Sequence, residues 1–370
     1  MRILHVTPYY PPDYWGGIEV HVYELCKYSR NHITTVATSR SSVTMSGTAE
    51  GPVGTRIYRL RSFELPRLDH LLPRLRNPYV PFLESKLAKI GDFDLLHVHG
   101  QEFFLSHSAV NFANKQDVPC VLSIHNTGQA YAGFRAVRLA RSIMQRSVFK
   151  KTIENSNFQI AVSRGSLKYL NRFGATATAL IPNGIDLERF ANLEKANEYV
   201  LFVGRLEPLK APEIFVRAVP LILQQVRTRF LVVGSGSLDA HLRRLAHELG
   251  ASQWINFREN LTYDELAKTV ARASVLVAPA NAGYSILEAG AAGKPVVSVR
   301  SDWNEEALGR AALYVEPNDI VEIAKAVVKI LKNDSLSENL GQQAHSFIGQ
   351  NRDWRVIYPK IDAIYKRLVS

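Results

Sequence analysis

Residues 274–299 constrain the fold of this chain more than any other stretch. The apolar run Val275 to Ala278 is typical of a buried strand, and Val296 to Val299 is a second one. Between them, the turn Pro279 to Gly283 leads into Tyr284 to Ala292, which is predicted to be a short helix rich in small residues. A helix that connects two buried strands is the crossover unit of a parallel sheet. The stretch therefore predicts an α/β fold.

The start of this helix is a candidate anion site. Gly283, Tyr284 and Ser285 offer backbone amides at a helix N-terminus, where partial positive charge favours phosphates. Glu288 lies one turn further along and could reach a ribose or sugar hydroxyl. An ordinary strand-to-helix crossover without a ligand explains the same residues, so both interpretations stay open at this point.

The beginning of the chain has the same pattern. Arg2 to Val6 is a predicted buried strand, the loop Thr7 to Gly17 follows it, and a helix is predicted from Ile18 to Arg30. Gly16 and Gly17 stand just before this helix, where residues without a Cβ let the backbone approach a ligand closely. A glycine pair at this place favours a phosphate or sugar site.

Strand and helix patterns alternate through the rest of the chain. In the first half we predict strands at 33–38, 55–61, 94–100, 118–125 and 158–163, a polar loop at 39–54, and helices at 80–90, 134–154 and 165–173. In the second half we predict further strands at 199–203, 230–233, 254–257 and 312–315, and helices at 212–225, 238–249, 263–273, 318–333, 335–350 and 353–369. The alternation indicates two α/β domains built on parallel sheets.

Histidines mark the ends of two predicted strands. His97 and His99 alternate and should face the same side of the sheet. No carboxylate pattern accompanies them, so a structural or substrate-edge role is favoured over a metal. His125 ends the strand 118–125, at the edge where open α/β sheets bind ligands. A capping or loop role would also explain His125.

Two cations follow the first strand of the second half. Arg205 and Lys210 lie five positions apart on a predicted strand-to-helix loop, where a planar guanidinium and a point charge could clamp a diphosphate. Gly234 follows the next strand, and Arg258 follows the one after it. Surface charges and ordinary turns are the alternative explanation.

The net charge of +11 is unevenly distributed: residues 1–190 contain 23 Lys+Arg and 14 Asp+Glu, which leaves +9 in the first half and +2 in the second. Such an excess indicates an anionic partner (nucleic acid, lipid headgroups or a phosphorylated substrate) or plain solubility.

The predicted helix 134–154 has no acid before Glu154. We expect its basic face to dock on anionic lipid or on a diphosphate acceptor, and a solvated face packed by its other side is the alternative. Its basic residues are Arg135, Arg138, Arg141, Arg146, Lys150 and Lys151.

Length and composition favour an intracellular protein with two domains of ordinary size. A chain of 370 residues with 46% hydrophobic residues can bury the cores of two domains. Cys26 and Cys120 have apolar neighbours and are predicted to be core thiols in a reducing compartment. No targeting segment or spanning apolar run of about 20 residues is recognisable. We expect a cytoplasmic location, peripheral on the inner face of the cytoplasmic membrane if the basic face docks there.

Several of these motifs, in the same order, resemble those of the retaining glycosyltransferases of family 4. The most specific is Pro-Asn-Gly-Ile-Asp at 182–186, which is similar to the family's Pro-Asn-Gly-Val-Asp. Gly-Arg at 204–205 with Lys210 matches its Gly-Arg-x-x-x-x-Lys-Gly, with Ala211 at the last glycine. The other matching stretches are 16–19, 94–99, 234–236 and 280–289.

The resemblance implies the GT-B architecture, in which two Rossmann-like domains with parallel sheets face a central cleft. The acceptor-binding domain would be 1–183, with a C-terminal helix at 353–370 crossing back to it, and the domain that binds the nucleotide sugar would be 184–352. The implied activity moves a sugar from a UDP- or GDP-linked donor to a glycan or lipid-linked acceptor, with retention at the anomeric carbon. Neither a metal nor another cofactor is expected, and nucleic acid is not expected as a partner because no aromatic–basic motif is present.

The resemblance also implies roles for single residues. His125 would contact the donor sugar near the transferring carbon, and Glu288 would hold the ribose. The donor-binding set would be Gly16, Gly17, Gly204, Arg205, Lys210, Gly234, Arg258, Gly283, Tyr284, Ser285 and Glu288.

One position departs from the family pattern. The family has a glutamate eight positions before Glu288, facing the reaction centre, and this chain has Ala280. Either the natural protein lacks that carboxylate, or the chain carries a deliberate Glu→Ala change, which the largely intact remaining motifs favour. The alternatives to an active transferase are thus a catalytically impaired protein that binds a nucleotide sugar and a GT-B epimerase acting on the donor alone.

Overall fold

The structure is a computed structural model that describes residues 1–13, 15–40, 47–63, 77–125, 144–259 and 261–370. The described residues form two compact units. The first contains 1–184 and 354–370, and the second contains 185–353.

The first unit is built on a sheet of eight strands in the order β3-β4-β2-β1-β5-β6-β7-β8, in which every pair is parallel except β3–β4. The strands are β1 (Arg2–Thr7), β2 (Ile33–Ser39), β3 (Gly47–Glu50), β4 (Arg56–Leu60), β5 (Leu95–His99), β6 (Cys120–Ile124), β7 (Phe158–Ala161) and β8 (Thr178–Leu180). Its helices up to Arg172 are α1 (Gly17–Tyr28), α2 (Leu83–Ala88), α3 (Phe104–Lys115), α4 (Lys150–Glu154) and α5 (Arg164–Arg172).

Apolar residues cover both faces of this sheet. Along β1, Leu4 and Val6 belong to a core with α2 and α3, whereas Ile3 belongs to a different core on the opposite face. All three are fully buried. A strand with apolar side chains on both faces has no polar alternation, which is why β1 appears in the sequence as a continuous apolar run.

The second unit is built on a fully parallel sheet in the order β11-β10-β9-β12-β13-β14. Its strands are β9 (Tyr199–Val203), β10 (Arg229–Val233), β11 (Ile255–Arg258), β12 (Ala273–Ala278), β13 (Val296–Val299) and β14 (Leu313–Val315). Its helices are α6 (Glu188–Ala191), α7 (Pro212–Leu223), α8 (Asp239–Glu248), α9 (Tyr263–Ala271), α10 (Tyr284–Ala291), α11 (Asp302–Leu308), α12 (Ile320–Leu331) and α13 (Asp334–Asn351).

The last helix, α14 (Trp354–Val369), belongs to the first unit. Trp354 is fully buried and lies in one core with Ile3. The Tyr365 hydroxyl lies 2.5 Å from Nδ1 of His97. Asp362 lies 2.6 Å from Nε2 of His32. Apolar packing and these polar contacts together attach α14 to the sheet.

Some expectations about single elements are wrong. The stretch 39–54 is not a continuous polar loop, because 47–50 forms the antiparallel strand β3 and 52–54 forms a 3-10 turn. All four residues of β3 are exposed, so backbone pairing stabilises it without an apolar pattern that the sequence could reveal. The predicted helix at 80–90 is shorter, since α2 begins only after Phe82, whose φ of 53° is left-handed.

The structure also differs from the predicted basic helix 134–154 in the part of it that is described. Residues 145–149 form one π-helical turn before α4, so the helix is not regular along its length. Residues 126–143 lie outside the described residues. Elements not expected from the sequence are α3, β8, α6 and α11.

The thiols occupy the surroundings expected of core residues. Cys26 and Cys120 are buried and unpaired with each other. Burial raises the pKa of each thiol to about 12, so both stay protonated at neutral pH. Within the described ranges, every helix is too short or too polar to cross a membrane.

The contact between Gly184 and Trp354 generates a test of this packing. A Cβ added at Gly184 would lie 2.7 Å from Cδ2 of the Trp354 indole, closer than a carbon contact allows. Gly184→Ala should therefore lower the free energy of unfolding by about 1–3 kcal/mol, the usual effect of overpacking. Urea unfolding followed by circular dichroism measures the change.

Gly349→Ala is the matched control. Gly349 lies inside α13, and its added Cβ would meet Leu187 Cδ1 at an ordinary 3.6 Å. Alanine should stabilise this helix by about 0.5–1 kcal/mol. If Gly184→Ala were as stable as the unchanged protein, the close contact with Trp354 would be contradicted.

Candidate functional site

The carboxyl ends of β9, β10, β11 and β12 meet at one edge of the second sheet, because the strands are parallel. Ligands of open parallel sheets bind at such an edge. The loops that leave it begin at Gly204, Gly234, Glu259 and Pro279. Most of the predicted donor contacts of the second unit therefore come from adjacent loops.

Backbone hydrogen bonds hold three of these strand ends together. The Gly204 amide donates to the Val233 carbonyl at 3.0 Å, and the Gly234 amide donates to the Arg258 carbonyl at 3.0 Å. A Cβ on Gly234 would lie 2.0 Å from the carbonyl oxygen of Gly204, and the φ of Gly234 is +145°. Only glycine fits there, so Gly234 is required for the approach of two loops. The Arg258 side chain is exposed at the same edge.

Lys210 connects the loop after β9 with the loop after β12. It ends a 3-10 turn, Pro208–Lys210, and its Nζ donates to the carbonyl of Asn281. A Cβ on Gly283 would lie 3.8 Å from that Nζ, so the ammonium group lies beside the start of α10. Burial, and secondarily the positive charge of Arg205, lowers the pKa of Lys210 to about 8. Arg205 itself is exposed.

The start of α10 is an amide-rich helix end. Gly283 is its N-cap, with a φ of +70°, and none of the described side chains caps the helix. The first amides of a helix have no partner within the helix, so this end can bind an anion. Tyr284 and Ser285 are the first two helical residues, and both are buried. The Ser285 hydroxyl donates to the Ala282 carbonyl at 3.2 Å.

The buried side chain of Asn304 orders the loop that carries Ala280. Its Nδ2 donates to the Ala280 carbonyl at 3.2 Å, and its Oδ1 accepts from the Ala282 amide at 3.2 Å. Asn304 is itself fully buried in α11. Sequence analysis did not identify this residue, since its role depends on a contact across 22 to 24 positions. Ala280 is partly exposed and contributes no polar side-chain atom.

Glu288 is buried one turn into α10. Burial raises the pKa of this carboxyl group to about 7, although the positive charge of Arg189 opposes the shift. The guanidinium of Arg189 lies 4.0 Å from the ring centre of Tyr263 and pairs with Asp264. A carboxyl group with such a pKa gains its charge most easily when a ligand hydroxyl donates to it.

In the first unit, histidines gather at the carboxyl ends of β1, β5 and β6. His5 and His97 are register partners on adjacent strands, and the ring centres of His97 and His99 lie 4.1 Å apart. This separation confirms that His97 and His99 face the same side. His125 follows β6, and its ring centre lies 4.7 Å from that of His21 on α1. Sequence analysis did not single out His5 and His21. The sequence did contain a signal for them, because the first predicted strand and the helix that follows it each contain a histidine.

These histidines are neutral at physiological pH. Burial lowers the pKa of His5 and of His125 to about 3. Burial, together with repulsion from the neighbouring rings, also holds the pKa of His21, His97 and His99 well below its usual range. His97 has both nitrogens engaged, with Tyr365 and with the Ser123 hydroxyl at 2.7 Å, which favours a structural role. The His125 residue is only partly buried, since part of its surface is exposed to solvent. Its neutral ring can therefore present a nitrogen to a ligand.

Gly16 and Gly17 occupy the exposed N-terminal end of α1. Gly16 is the N-cap, and a Cβ added to it would lie 2.5 Å from Oε2 of Glu19. The Glu19 carboxylate therefore folds back over the helix start, and a side chain at position 16 would collide with it. Because this contact is with the far end of a flexible side chain, which can move aside, it does not by itself require glycine at position 16.

The basic residues predicted to meet an anionic surface fall into two groups. Arg146, Lys150 and Lys151 are exposed, and Lys150 pairs with Glu154 at 3.3 Å. Arg135, Arg138 and Arg141 lie outside the described residues.

The arrangement in the second unit suits an anion joined to a hydroxylated group. Arg205, Lys210 and the amides of α10 supply positive charge, while the buried Glu288 supplies an acceptor. Charged donors that are held in place before a ligand arrives stabilise negative charge at little reorganisation cost.

Comparisons with known proteins extend over the whole chain. Residues 15–189 match the family described as Glycosyltransferase Family 4, and residues 197–333 match Glycosyl transferases group 1. An uncharacterized glycosyltransferase of Methanocaldococcus jannaschii is 25% identical, covering 99% of this chain and 98% of its own. A phosphatidyl-myo-inositol mannosyltransferase of Mycobacterium tuberculosis is 27% identical, covering 100% and 98%.

Solved structures show the same fold. A sucrose-phosphate synthase from Thermosynechococcus elongatus superposes with a TM-score of 0.81 at 23% identity, covering 99% of this chain and 98% of its own. HepE of Anabaena, solved in complex with UDP-glucose, has a TM-score of 0.75 at 18% identity, covering 99% and 100%. Each of the two units matches a glycosyltransferase domain, and the relatives align with this chain from end to end. The chain therefore belongs to the family 4 glycosyltransferases of the GT-B fold.

Proposed function

We propose that this protein is a retaining glycosyltransferase that moves a sugar from a UDP- or GDP-linked donor to an acceptor hydroxyl. The observation that carries the proposal is the position of Lys210, whose ammonium group joins the loop after β9 to the start of α10. One structural neighbour, HepE of Anabaena, was solved in complex with UDP and in complex with UDP-glucose, which supports a nucleotide sugar as the donor.

In this proposal the diphosphate binds Arg205, Lys210 and the amides at Gly283, Tyr284 and Ser285. A phosphate beside Lys210 would favour its charged form, offsetting the burial that lowers its pKa to about 8. Positive charge held there stabilises the leaving diphosphate as the glycosidic bond breaks. No metal is needed for that task.

The rest of the donor would be held by groups of different chemistry. Glu288 accepts from ribose hydroxyls, and the loop beginning near Arg258 borders the base, mainly through its backbone. Gly204 and Gly234 allow the phosphates to approach the strand ends closely. From the first unit, Gly16 and Gly17 approach the phosphates or the acceptor, and His125 contacts the transferred sugar.

We propose front-face substitution as the route to retention. The bond between the anomeric carbon and the phosphate oxygen breaks while the acceptor oxygen forms its bond on the same face. The acceptor proton passes to the departing phosphate oxygen, so atoms and charge balance without a protein nucleophile. A covalent sugar trapped on a side chain would overturn this route.

The acceptor is proposed to be lipid-linked or a precursor of a cell-surface polysaccharide. Relatives described as phosphatidyl-myo-inositol mannosyltransferase and D-inositol 3-phosphate glycosyltransferase support a phosphorylated or lipid acceptor. A structural neighbour is described as a glycosyltransferase involved in lipopolysaccharide biosynthesis. For an acceptor of this kind, we propose that the protein acts peripherally at the inner face of the cytoplasmic membrane.

Arg205→Ala and Lys210→Ala test the diphosphate contacts. Each variant should bind UDP- or GDP-sugars about tenfold or more weakly, since a charge-assisted contact is worth about 1.5–3 kcal/mol. The rise in Tm with added UDP-, GDP- and ADP-sugars identifies the donor and measures the loss.

Arg244→Ala and Lys325→Ala are the matched controls, because both side chains are exposed on helices away from the strand ends. They should leave donor binding unchanged. Unchanged affinity in both Arg205→Ala and Lys210→Ala would remove the clamp from the proposal.

Ala280→Glu tests the missing carboxylate. A carboxylate at this position should raise the transfer rate about a hundredfold or more at similar donor affinity, because one positioned charge at a reaction centre is worth about 2.7–4 kcal/mol. Steady-state kinetics with a donor that binds both proteins measures the change. Asn281→Glu adds the same charge at the exposed neighbouring position and should not reproduce the gain. An unchanged rate in Ala280→Glu would show that the assigned position or its role is wrong.

Exchange of Arg146, Lys150 and Lys151 for glutamine tests the membrane contact. Each basic residue near an anionic bilayer contributes about 1 kcal/mol, so the triple variant should partition roughly a hundredfold less at low salt. Sedimentation with phosphatidylglycerol vesicles measures partitioning, which should also fall as salt rises.

The control exchanges Lys325, Lys329 and Lys332, three exposed cations in and just after α12 of the second unit. Equal losses in both triple variants would indicate a general charge effect and no specific docking face.

A further inference from the structure

Five histidines of the first unit form one buried cluster that the proposed reaction does not use in full. His5, His97 and His99 lie on β1 and β5, His21 lies on α1, and His125 follows β6. Among the described residues, two sets of three bring their ring nitrogens within 4.8 Å of one another: His5 with His97 and His99, and His21 with His99 and His125. Only His125 is expected to meet the donor.

Existing hydrogen bonds separate the two sets. His97 already has a partner at each ring nitrogen, Tyr365 and Ser123. His5 Nδ1 lies 3.3 Å from His99 Nε2. A ligand at the first set would therefore have to replace bonds already made. In the second set, Nδ1 of His99 and Nε2 of His125 are buried with no partner among the described residues.

Ring separations in the second set are close to those of a metal centre, although they are not equal to them. With a metal–nitrogen distance of about 2.1 Å and tetrahedral angles, imidazole centres lie about 5 Å apart. The observed separations are 4.7 Å for His21–His125, and 5.7 Å for both His21–His99 and His99–His125. Small ring rotations would bring the nitrogens from within 4.8 Å to the roughly 3.4 Å that a tetrahedral ion requires.

The surroundings favour one class of ion. All the ligands are neutral imidazoles without a carboxylate, a set that suits zinc, copper, nickel or cobalt and not magnesium or calcium. The contact between His5 and His99 is the kind of outer-sphere hydrogen bond that orients ligating histidines.

We propose that His21, His99 and His125 form a binding site for a zinc-like divalent ion. The ion is a ligand of the first unit and takes no part in transfer. Because it occupies His125, it should inhibit the proposed transferase by withdrawing that ring from the donor sugar. The site itself does not depend on the proposed function.

Isothermal titration with Zn²⁺, and the absorption spectrum with Co²⁺, test the site on the full chain at neutral pH. We expect one Zn²⁺ per chain, a tetrahedral Co²⁺ spectrum and no heat with Mg²⁺. His125→Asn and His21→Phe should each weaken Zn²⁺ binding about tenfold or more, at least the effect of losing an outer-sphere partner alone. His125 is the least buried of the three, so His125→Asn is the variant that best preserves the fold.

Two controls place the ion. His247→Gln removes an exposed histidine of α8 and should leave binding unchanged, whereas equal weakening there would indicate surface binding. His5→Asn removes only the outer-sphere partner of His99, so it should weaken Zn²⁺ binding less than His125→Asn does. Absence of Zn²⁺ binding, or a loss in His5→Asn as large as that in His125→Asn, overturns the proposal. If Zn²⁺ binds without inhibiting transfer, the metal site is supported and the proposed role of His125 in transfer is contradicted.

Discussion

The parallel pairing of β9 with β10 and β12 is the constraint on which the candidate donor site depends. Parallel pairing puts the carboxyl ends of these strands at one edge, so loops far apart in sequence become neighbours. Gly204, Lys210, Gly234 and Gly283 contribute to one surface for that reason. If a strand were reversed, its loop would move to the opposite edge and separate Lys210 from the start of α10.

Close backbone approach sets the geometry of this edge. Gly234 leaves no space for a side chain beside the Gly204 carbonyl, and Gly236 is similarly close to the Leu206 carbonyl at 2.2 Å from an added Cβ. The loops are therefore held by main-chain contacts, and their exposed amides and cations remain available to a ligand. Asn304 has the same effect on the loop at Ala280, because its buried side-chain amide donates one hydrogen bond to this loop and accepts another from it.

Burial determines the protonation state of the candidate groups in both units. It raises the pKa of Glu288 to about 7, lowers that of Lys210 to about 8 and keeps His125 neutral. Each shift disfavours the charged form, so each group gains its charge most readily when a ligand of complementary chemistry arrives. The ribose hydroxyl that we propose at Glu288 and the phosphate that we propose at Lys210 are such ligands. This environment distinguishes the site residues from chemically identical ones on the surface.

The sequence alone determined the α/β class, the family and most of the buried strands. These features depend on local patterns: continuous apolar runs, glycine pairs and short motifs that remain recognisable without the rest of the chain. Strand and helix patterns alternating through both halves indicated two α/β domains, and the family resemblance, most specific at 182–186, implied that both are Rossmann-like. The same local logic could not predict β3, which is exposed throughout and held by pairing with β4.

Only the tertiary structure decided which residues meet. His5 and His21 lack a motif of their own, and they join His97, His99 and His125 because parallel strands and α1 converge on one place. Asn304 reaches Ala280 across the crossover between β12 and α11, and Trp354 closes on Gly184 from the far end of the chain. Contacts between residues distant in sequence depend on packing and register, which no local pattern specifies, and burial by those contacts then sets the pKa values.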